Sequence, residues 1–338
     1  MQRKYHWLVC AGVLLATFAI TMRAQPAFAE IAYSVTETNK LVRLDTGQAI
    51  EDVIGTITGT SGEQILSIDF RPLTGRLYGV SANNLYVINP ATAQAEVVTA
   101  APFTTPLAGN VDIDFDPVSG LIRVVTDTNQ NLRINPQTGA MTTDPNITGV
   151  TGLAALGFTN SFASPDRSTL FGISHTTNQL ARIGGVNLVD GGASQAAGVA
   201  SAAPGGLSFD VDAPAGLDIA ANDNEAFAVL TPAGDTVSGL YRISLTTGAP
   251  TFLRQVLVGE KLRGLALVSR AVKLYALAHP IAGTSPAGSI ATVFSPAPGT
   301  LMPQPGAVKA ITGLGAGEEV LDIDTLSLIH ISEPTRPY

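Results

Sequence analysis

Apolar and polar residues alternate in short runs along most of the chain, and the stretch 65–98 shows the pattern best. Residues 65–70 alternate between two faces, as expected of a β-strand with one side in a core. Polar turns that contain proline, glycine or asparagine then separate three further runs, at 76–80, 85–88 and 95–99. The pattern therefore predicts four short antiparallel strands.

The same pattern recurs at 111–143, offset by 45 residues at its first match and 46 at its second. The matching segments are Ile68-Asp69-Phe70 with Ile113-Asp114-Phe115, and Ile88-Asn89-Pro90 with Ile134-Asn135-Pro136. A sequence period of about 40–50 residues with several strands is typical of a propeller blade. Four short strands bury too little surface alone, so copies must pack face to face, and a ring achieves this with short edges.

We therefore predict an all-β propeller of about six four-stranded blades that forms a single domain, residues 30–326. The first blade lacks its first strand, because 31–35 aligns with the second strand of later units. Weaker units follow at 156–183 and 207–248, and a sixth starts at Lys261.

The C-terminal segment carries a strand of the kind that the first blade lacks, because 311–324 matches 57–69. We favour closure of the ring by pairing of this strand with the N-terminal strands, at 31–35. The alternative is that 311 begins a second copy of the domain. Residues 327–338 depart from the pattern, and we predict that they are a non-native tail.

Residues 1–29 have the features of a secretory signal peptide: a basic start, an apolar run of 14 residues at 7–20, and Ala27 and Ala29 before the cleavage point. The alternative is a membrane anchor, but the run is shorter than the roughly 20 residues that span a bilayer. We predict a secreted or periplasmic protein with no membrane insertion after cleavage. The single cysteine, Cys10, leaves with the signal.

The mature chain is acidic, with 16 basic and 27 acidic residues and a net charge of −11. An acidic surface of low charge density argues against a nucleic-acid partner, because phosphates are bound by lysine and arginine.

The units IDFRPLTGRLYGV, NLYVINP, IDFDPVSGLIRVV and NLRINPQTG resemble a bacterial group, the domain-of-unknown-function 4394 family. The resemblance covers roughly 31–268, together with 311–324. It implies a secreted propeller-like β fold, and it supplies no catalytic residues.

Asp112, Asp114 and Asp116 alternate along one predicted strand and so share a face. Carboxylate oxygens suit calcium and other hard cations. The simpler interpretation, which we favour, is that Asp114 and Asp69 accept hydrogen bonds from turn amides and hold the corner after the strand.

Other candidate residues have structural explanations. The histidines of the mature chain are His175, His279 and His330, and they form no zinc-binding pattern. Glycines 313–317 precede a predicted strand, whereas a phosphate loop opens a helix. The polar hairpin tip 129–131 is a candidate for contact with a glycan or peptide. Four arginines are candidates for lining a channel or for structural ion pairs: Arg71, Arg76, Arg123 and Arg133.

The sequence thus predicts no catalytic, cofactor-binding or metal-ligating residue and no cofactor, and it leans away from an enzyme. Our leading hypothesis is a non-enzymatic binding or scaffold module for a protein, peptide or glycan. The alternative is a metal-dependent hydrolase or lactonase with a carboxylate-bound ion at the channel, which rests on analogy between propellers alone.

Overall fold

The computed structural model describes residues 30–163, 165–188, 193–256 and 258–268, and the backbone of three later strands. The predicted signal peptide, 1–29, the C-terminal strand at 311–324 and the tail, 327–338, lie outside the described residues. Within the described part of the chain, no helix has the length and apolar character needed to cross a bilayer.

The described residues form short strands and one helical turn, α1 (Ala193–Ala196). The strands are, in chain order, β1 (Ile31–Thr36), β2 (Lys40–Asp45), β3 (Glu51–Thr56), β4 (Ser67–Phe70), β5 (Leu77–Val80), β6 (Leu85–Ile88), β7 (Ala95–Val97), β8 (Val111–Phe115), β9 (Ile122–Thr126), β10 (Asn131–Ile134), β11 (Met141–Thr143), β12 (Leu153–Phe158), β13 (Ser168–Ser174), β14 (Gln179–Leu188), β15 (Ala200–Gly206), β16 (Val211–Ile219), β17 (Ala226–Pro232), β18 (Gly239–Ile243), β19 (Pro250–Gln255), β20 (Leu262–Leu267), β21 (Val272–Ala278), β22 (Ser289–Ala297) and β23 (Thr300–Ala310).

Five four-stranded antiparallel sheets confirm the predicted all-β propeller arrangement. Blade one has the strand order β20-β1-β2-β3, and blades two to five are β4–β7, β8–β11, β12–β15 and β16–β19. The expectation of about six blades was wrong. Residues 262–267, which we expected to begin a sixth blade, pair with β1 and supply the inner strand of blade one. The strands that follow, β21–β23, form a separate three-stranded sheet.

The place beside β1 is therefore filled by β20, and not by the C-terminal segment that we expected there. Tyr33 lies opposite Ala266, and the Ser34 hydroxyl donates a hydrogen bond to the carbonyl oxygen of Gly264 at 2.6 Å. Strand β20 also contacts the inner strands of both neighbouring blades, β16 and β4.

The core is divided into five clusters of buried apolar side chains, and each cluster lies between two adjacent blades. One of them joins blade five to blade one through Phe227, Val229 and Leu265. This packing follows from the sequence pattern, because each blade, taken over its four strands, buries apolar side chains on both of its faces, and each face meets a different neighbour.

Tight turns at two places in the repeat account for the spacing between strands. Gly75 and Gly120 adopt positive φ (65° and 71°) in the turns that follow β4 and β8. Between the third and fourth strands, the side-chain oxygens of Asn89 and Asn135 accept backbone N–H groups two residues on, at 2.9 and 2.8 Å. These turns were predicted from the sequence and are confirmed.

Candidate functional site

The inner strands of neighbouring blades are joined by side chains that accept backbone N–H groups. The Ser67 hydroxyl oxygen accepts the N–H of Ile113 at 3.3 Å, and two residues later Asp69 Oδ2 accepts the N–H of Phe115 at 2.7 Å. Because both contacts join residues that are 46 positions apart in the sequence, β4 and β8 run parallel to each other. All turns that follow the inner strands of these blades therefore lie on the same side.

Two more aspartates make the same kind of contact farther round the propeller. Asp112 Oδ2 accepts the N–H of Leu156 at 2.7 Å, and Asp218 Oδ2 accepts the N–H of Leu267 at 2.6 Å. The first contact joins blade three to blade four, and the second joins blade five to blade one. These hydrogen bonds satisfy amides that face a neighbouring blade and would otherwise be buried without a partner.

Three of the buried carboxylates converge: Asp69 from blade two, Asp114 from blade three and Asp218 from blade five. One oxygen from each lies within 4.8 Å of the others. The three residues are only 3%, 1% and 3% exposed. We call this group the carboxylate cluster.

The oxygens of the cluster are used unequally. Asp69 and Asp218 each accept a second N–H, from Phe70 at 2.7 Å and from Ile219 at 2.6 Å, so both oxygens of these side chains have partners. Asp114 accepts the N–H of Phe158, but its Oδ1 is buried with no hydrogen-bond partner. The cluster thus contains one carboxylate oxygen that no described donor satisfies.

Burial and mutual repulsion make the cluster a poor place for three negative charges. Burial, followed by the charges of the neighbouring carboxylates, raises the pKa of Asp69 and Asp114 well above the usual range. Burial also raises the pKa of Asp218 to about 7, against the effect of its two hydrogen bonds. The strongest charged influences on the cluster are other carboxylates, Asp112 and Glu30 among them. Near neutral pH the cluster therefore favours the uptake of positive charge, as protons or as a cation.

The row of three aspartates that the sequence singled out does not act as one group. Asp114 alone joins the cluster, while Asp112 pairs with the Ser67 hydroxyl and with blade four. Asp116 accepts the N–H of Val118 at 3.0 Å and the hydroxyl of Ser119 at 2.7 Å, and so holds its own turn. The corner role that we expected of Asp69 and Asp114 belongs to Asp116, whereas Asp69 and Asp114 bond the next blade.

Sequence reasoning missed Asp218, although a signal was present. Leu217-Asp218-Ile219 repeats the apolar-Asp-apolar motif of Ile68-Asp69-Phe70 and Ile113-Asp114-Phe115. The weak match of the surrounding unit concealed it. An alignment of the inner strands alone would have placed the three aspartates at the same position of the repeat.

The other sequence candidates are largely structural. The guanidinium groups of Arg123 and Arg133 both bond Asp144, each at 2.7 Å, and Asn131 is buried. His175 lies 3.6 Å from Asp127 Oδ2, and its side chain is 24% exposed. His279, His330 and glycines 313–317 lie outside the described residues.

The turns that follow the inner strands, among them 71–76, 116–121 and 220–225, lie on one side of the propeller, which we call the turn face. Three depressions open on this face. A small cavity of about 10 Å³ adjoins Asp218, and a groove of about 550 Å³ lies along blade two. Between the first two turns lies a depression of about 160 Å³, lined by Arg71, Leu73, Asp116 and Ser119 among others.

Arg71 and Leu73 give this depression, which we call the Arg71 depression, a mixed chemical character. Arg71 is 8% exposed and its Nε has no hydrogen-bond partner among the described residues, whereas Leu73 is 57% exposed. Arg76, at the end of the same turn, is exposed to solvent. A buried N–H without a partner is costly, so Arg71 presents an unmet need for an acceptor.

Comparison with known protein families assigns the chain to one of them. Residues 40–266 match the family described as domain of unknown function DUF4394. The chain belongs to this family. The match to DUF4394 confirms the resemblance seen in the repeat motifs, and a search of curated proteins gives no match.

Several solved structures are similar to the chain in fold alone. A nidogen–laminin complex is 9% identical with a TM-score of 0.41, covering 71% of this chain and 98% of that one. A calcium-binding protein, regucalcin, from Agrobacterium tumefaciens strain C58 is 14% identical with a TM-score of 0.40, covering 73% and 77%. An auxiliary nutrient binding protein from Bacteroides ovatus is 12% identical with a TM-score of 0.36, covering 76% and 59%.

Proposed function

We propose that this DUF4394 protein is a secreted or periplasmic, non-enzymatic binding or scaffold module that recognises a peptide, protein or glycan through its turn face. The scaffold is a five-bladed ring that β20 closes by pairing with β1. The features of 1–29 support export, and the pairing and packing of β20 support closure.

The observation that carries this proposal is the Arg71 depression. It is lined by the buried Arg71, whose Nε has no hydrogen-bond partner within the described part of the chain, and by the exposed Leu73. A carbonyl, carboxylate or hydroxyl oxygen of a ligand would satisfy the guanidinium, while the leucine would cover an apolar group beside it. Ligand sites commonly combine an apolar lining with a small number of convergent polar groups, and this depression offers both kinds of group.

The location of the depression also suits recognition. Turns 71–76 and 116–121 come from adjacent blades, so their relative position is set by the packing of two sheets and not by one flexible loop. Ligand-binding residues are commonly placed on loops that a rigid scaffold positions. The groove of about 550 Å³ along blade two lies on the same face and extends the surface available to an elongated ligand.

The hydrolase alternative receives less support. A catalytic ion needs an open coordination position that a substrate can reach. The carboxylate cluster is at most 3% exposed, and the cavity beside Asp218, of about 10 Å³, has room for about one water molecule. The geometry therefore favours a structural role for the cluster.

The test is a screen of the purified mature protein on peptide and glycan arrays, followed by binding titrations of each hit. We expect at least one hit whose affinity falls by tenfold or more in Arg71→Gln, because the acceptor loses a charged donor. The matched control is Arg43→Gln, which removes the same charge from an exposed pair with Asp52 on blade one. No hit on either array, or an equal loss in both variants, would contradict the proposal.

A further inference from the structure

We propose that the carboxylate cluster holds a hard divalent cation, with Ca²⁺ as the best fit, which ties together the inner strands of blades two, three and five. The inference does not rest on the proposed binding function. It concerns a site inside the propeller, whereas the Arg71 depression lies on the turn face.

The first observation is the convergence of three acidic side chains from three blades. One oxygen each from Asp69, Asp114 and Asp218 lies within 4.8 Å of the other two. Several buried carboxylates at one place suit calcium, which takes about six to eight oxygen ligands at roughly 2.3–2.6 Å and accepts flexible geometry. Magnesium more often keeps several of its own waters and is held by only about one or two carboxylates.

The second observation is independent of the spacing. Asp114 is 1% exposed, and its Oδ1 is buried without a hydrogen-bond partner among the residues that the structure describes. Native proteins satisfy almost all buried polar atoms, and a carboxylate oxygen needs a donor or a metal ion. A cation among the three side chains supplies what this oxygen lacks.

The hydrogen bonds already made to the cluster are compatible with ligation. Asp69 and Asp218 accept two N–H groups each, one on each oxygen. A carboxylate oxygen has two lone pairs, so each can still coordinate an ion. The amides also fix the orientation of the two carboxylates, as supporting hydrogen bonds commonly do around metal ligands.

A cation also accounts for the charge of the site. The strongest charged neighbours of the three side chains are further carboxylates, and buried charges are normally paired or coordinate a metal. The ion would join blade five to blades two and three, which lie far from it along the chain. Its binding would therefore stabilise the assembled propeller.

The test uses the full mature chain, stripped with EDTA and dialysed, and measures bound metal, calorimetric titration with Ca²⁺ and thermal melting. We expect about one equivalent of Ca²⁺ per chain and a melting temperature that rises by about 5–10 °C at a free Ca²⁺ concentration near 100 times Kd. Mg²⁺ should produce a smaller rise.

Two matched variants separate a cation site from a merely structural cluster. Asp114→Asn removes one charged ligand but can still accept the N–H of Phe158. We expect it to melt no lower than the wild type in EDTA, because repulsion is relieved, and to bind Ca²⁺ at least roughly tenfold more weakly. Asp116→Asn, two residues along, should lower the melting temperature through its turn but keep the full response to Ca²⁺. Equal melting in Ca²⁺ and EDTA, with no bound ion, would overturn the proposal and show that the cluster holds protons instead.

Discussion

At the scale of single residues, the Glu63 carboxylate shows how one side chain holds two loops in place. It accepts hydrogen bonds from Ser81 at 2.5 Å, Asn83 at 2.7 Å, Tyr86 at 2.8 Å and Asn84 at 2.9 Å. Burial alone would raise the pKa of Glu63, but these four side chains together lower it from 4.5 to about 2. The folded state therefore stabilises the ionised form of the Glu63 carboxyl group.

This arrangement predicts a pH dependence of stability. Because the pKa of Glu63 falls on folding, its contribution is complete above pH 4.5 and is lost as the pH falls from 4.5 to about 2. We expect Glu63→Gln to lower the free energy of unfolding at pH 7 by about 1 kcal/mol, a value that allows for partial solvent screening. Urea denaturation at pH 7, 4 and 2.5 measures the difference.

The control for this variant is Glu96→Gln, on the exposed outer strand β7, which should change stability by less than about 0.5 kcal/mol. A wild-type advantage over Glu63→Gln that stays constant down to pH 2.5 would show that the carboxylate is not the stabilising form.

At the scale of elements, the inner strands approach one another closely because glycines stand where two strands meet. A Cβ added to Gly216 on β16 would lie 2.3 Å from the carbonyl carbon of Gly264 and 2.6 Å from the N of Leu265, both on β20. The contact is with backbone atoms of the neighbouring blade, which cannot rotate away. Gly216 thus sets the distance between blades five and one.

We predict that Gly216→Ala destabilises the protein by about 2–3 kcal/mol, since overpacking forces the two strands apart. Gly206→Ala on the outer strand β15 is the matched control, because its Cβ would lie 3.2 Å from the nearest heavy atom and could be accommodated by a small shift. Chemical denaturation of both variants gives the comparison. If the two substitutions cost the same, the close approach of β16 and β20 is not a constraint on folding.

Also at this scale, the sequence predicted individual blades better than their connections. The apolar-Asp-apolar strands and the Asn-Pro turns carry local signals, and blades two and three were located from them. That Asp69 accepts the N–H of Phe115 is not visible in the sequence, because the contact depends on how two sheets pack. The convergence of Asp218 with Asp69 and Asp114 depends on the same packing across more than a hundred residues.

At the scale of the whole molecule, the error in blade number has a specific cause. Residues 262–267 resemble any other inner strand, and a sequence pattern does not say whether such a strand continues into the next blade or completes the first. The count of blades depends on that choice. Its partner, β1, is the first of the described strands, so the pairing is the longest-range one among them.

The measurement that tests the account most directly is therefore the thermal unfolding of two truncated chains, 30–268 and 30–261. The first keeps β20 and ends before the separate three-stranded sheet, and the second lacks β20. Removing β20 exposes the edge of β1 and the apolar faces of blades two and five. We predict that 30–268 unfolds in one cooperative transition close to that of the mature chain, and that 30–261 melts at least about 10 °C lower or without cooperativity. Equal melting temperatures for the two chains would contradict a five-bladed ring closed by β20.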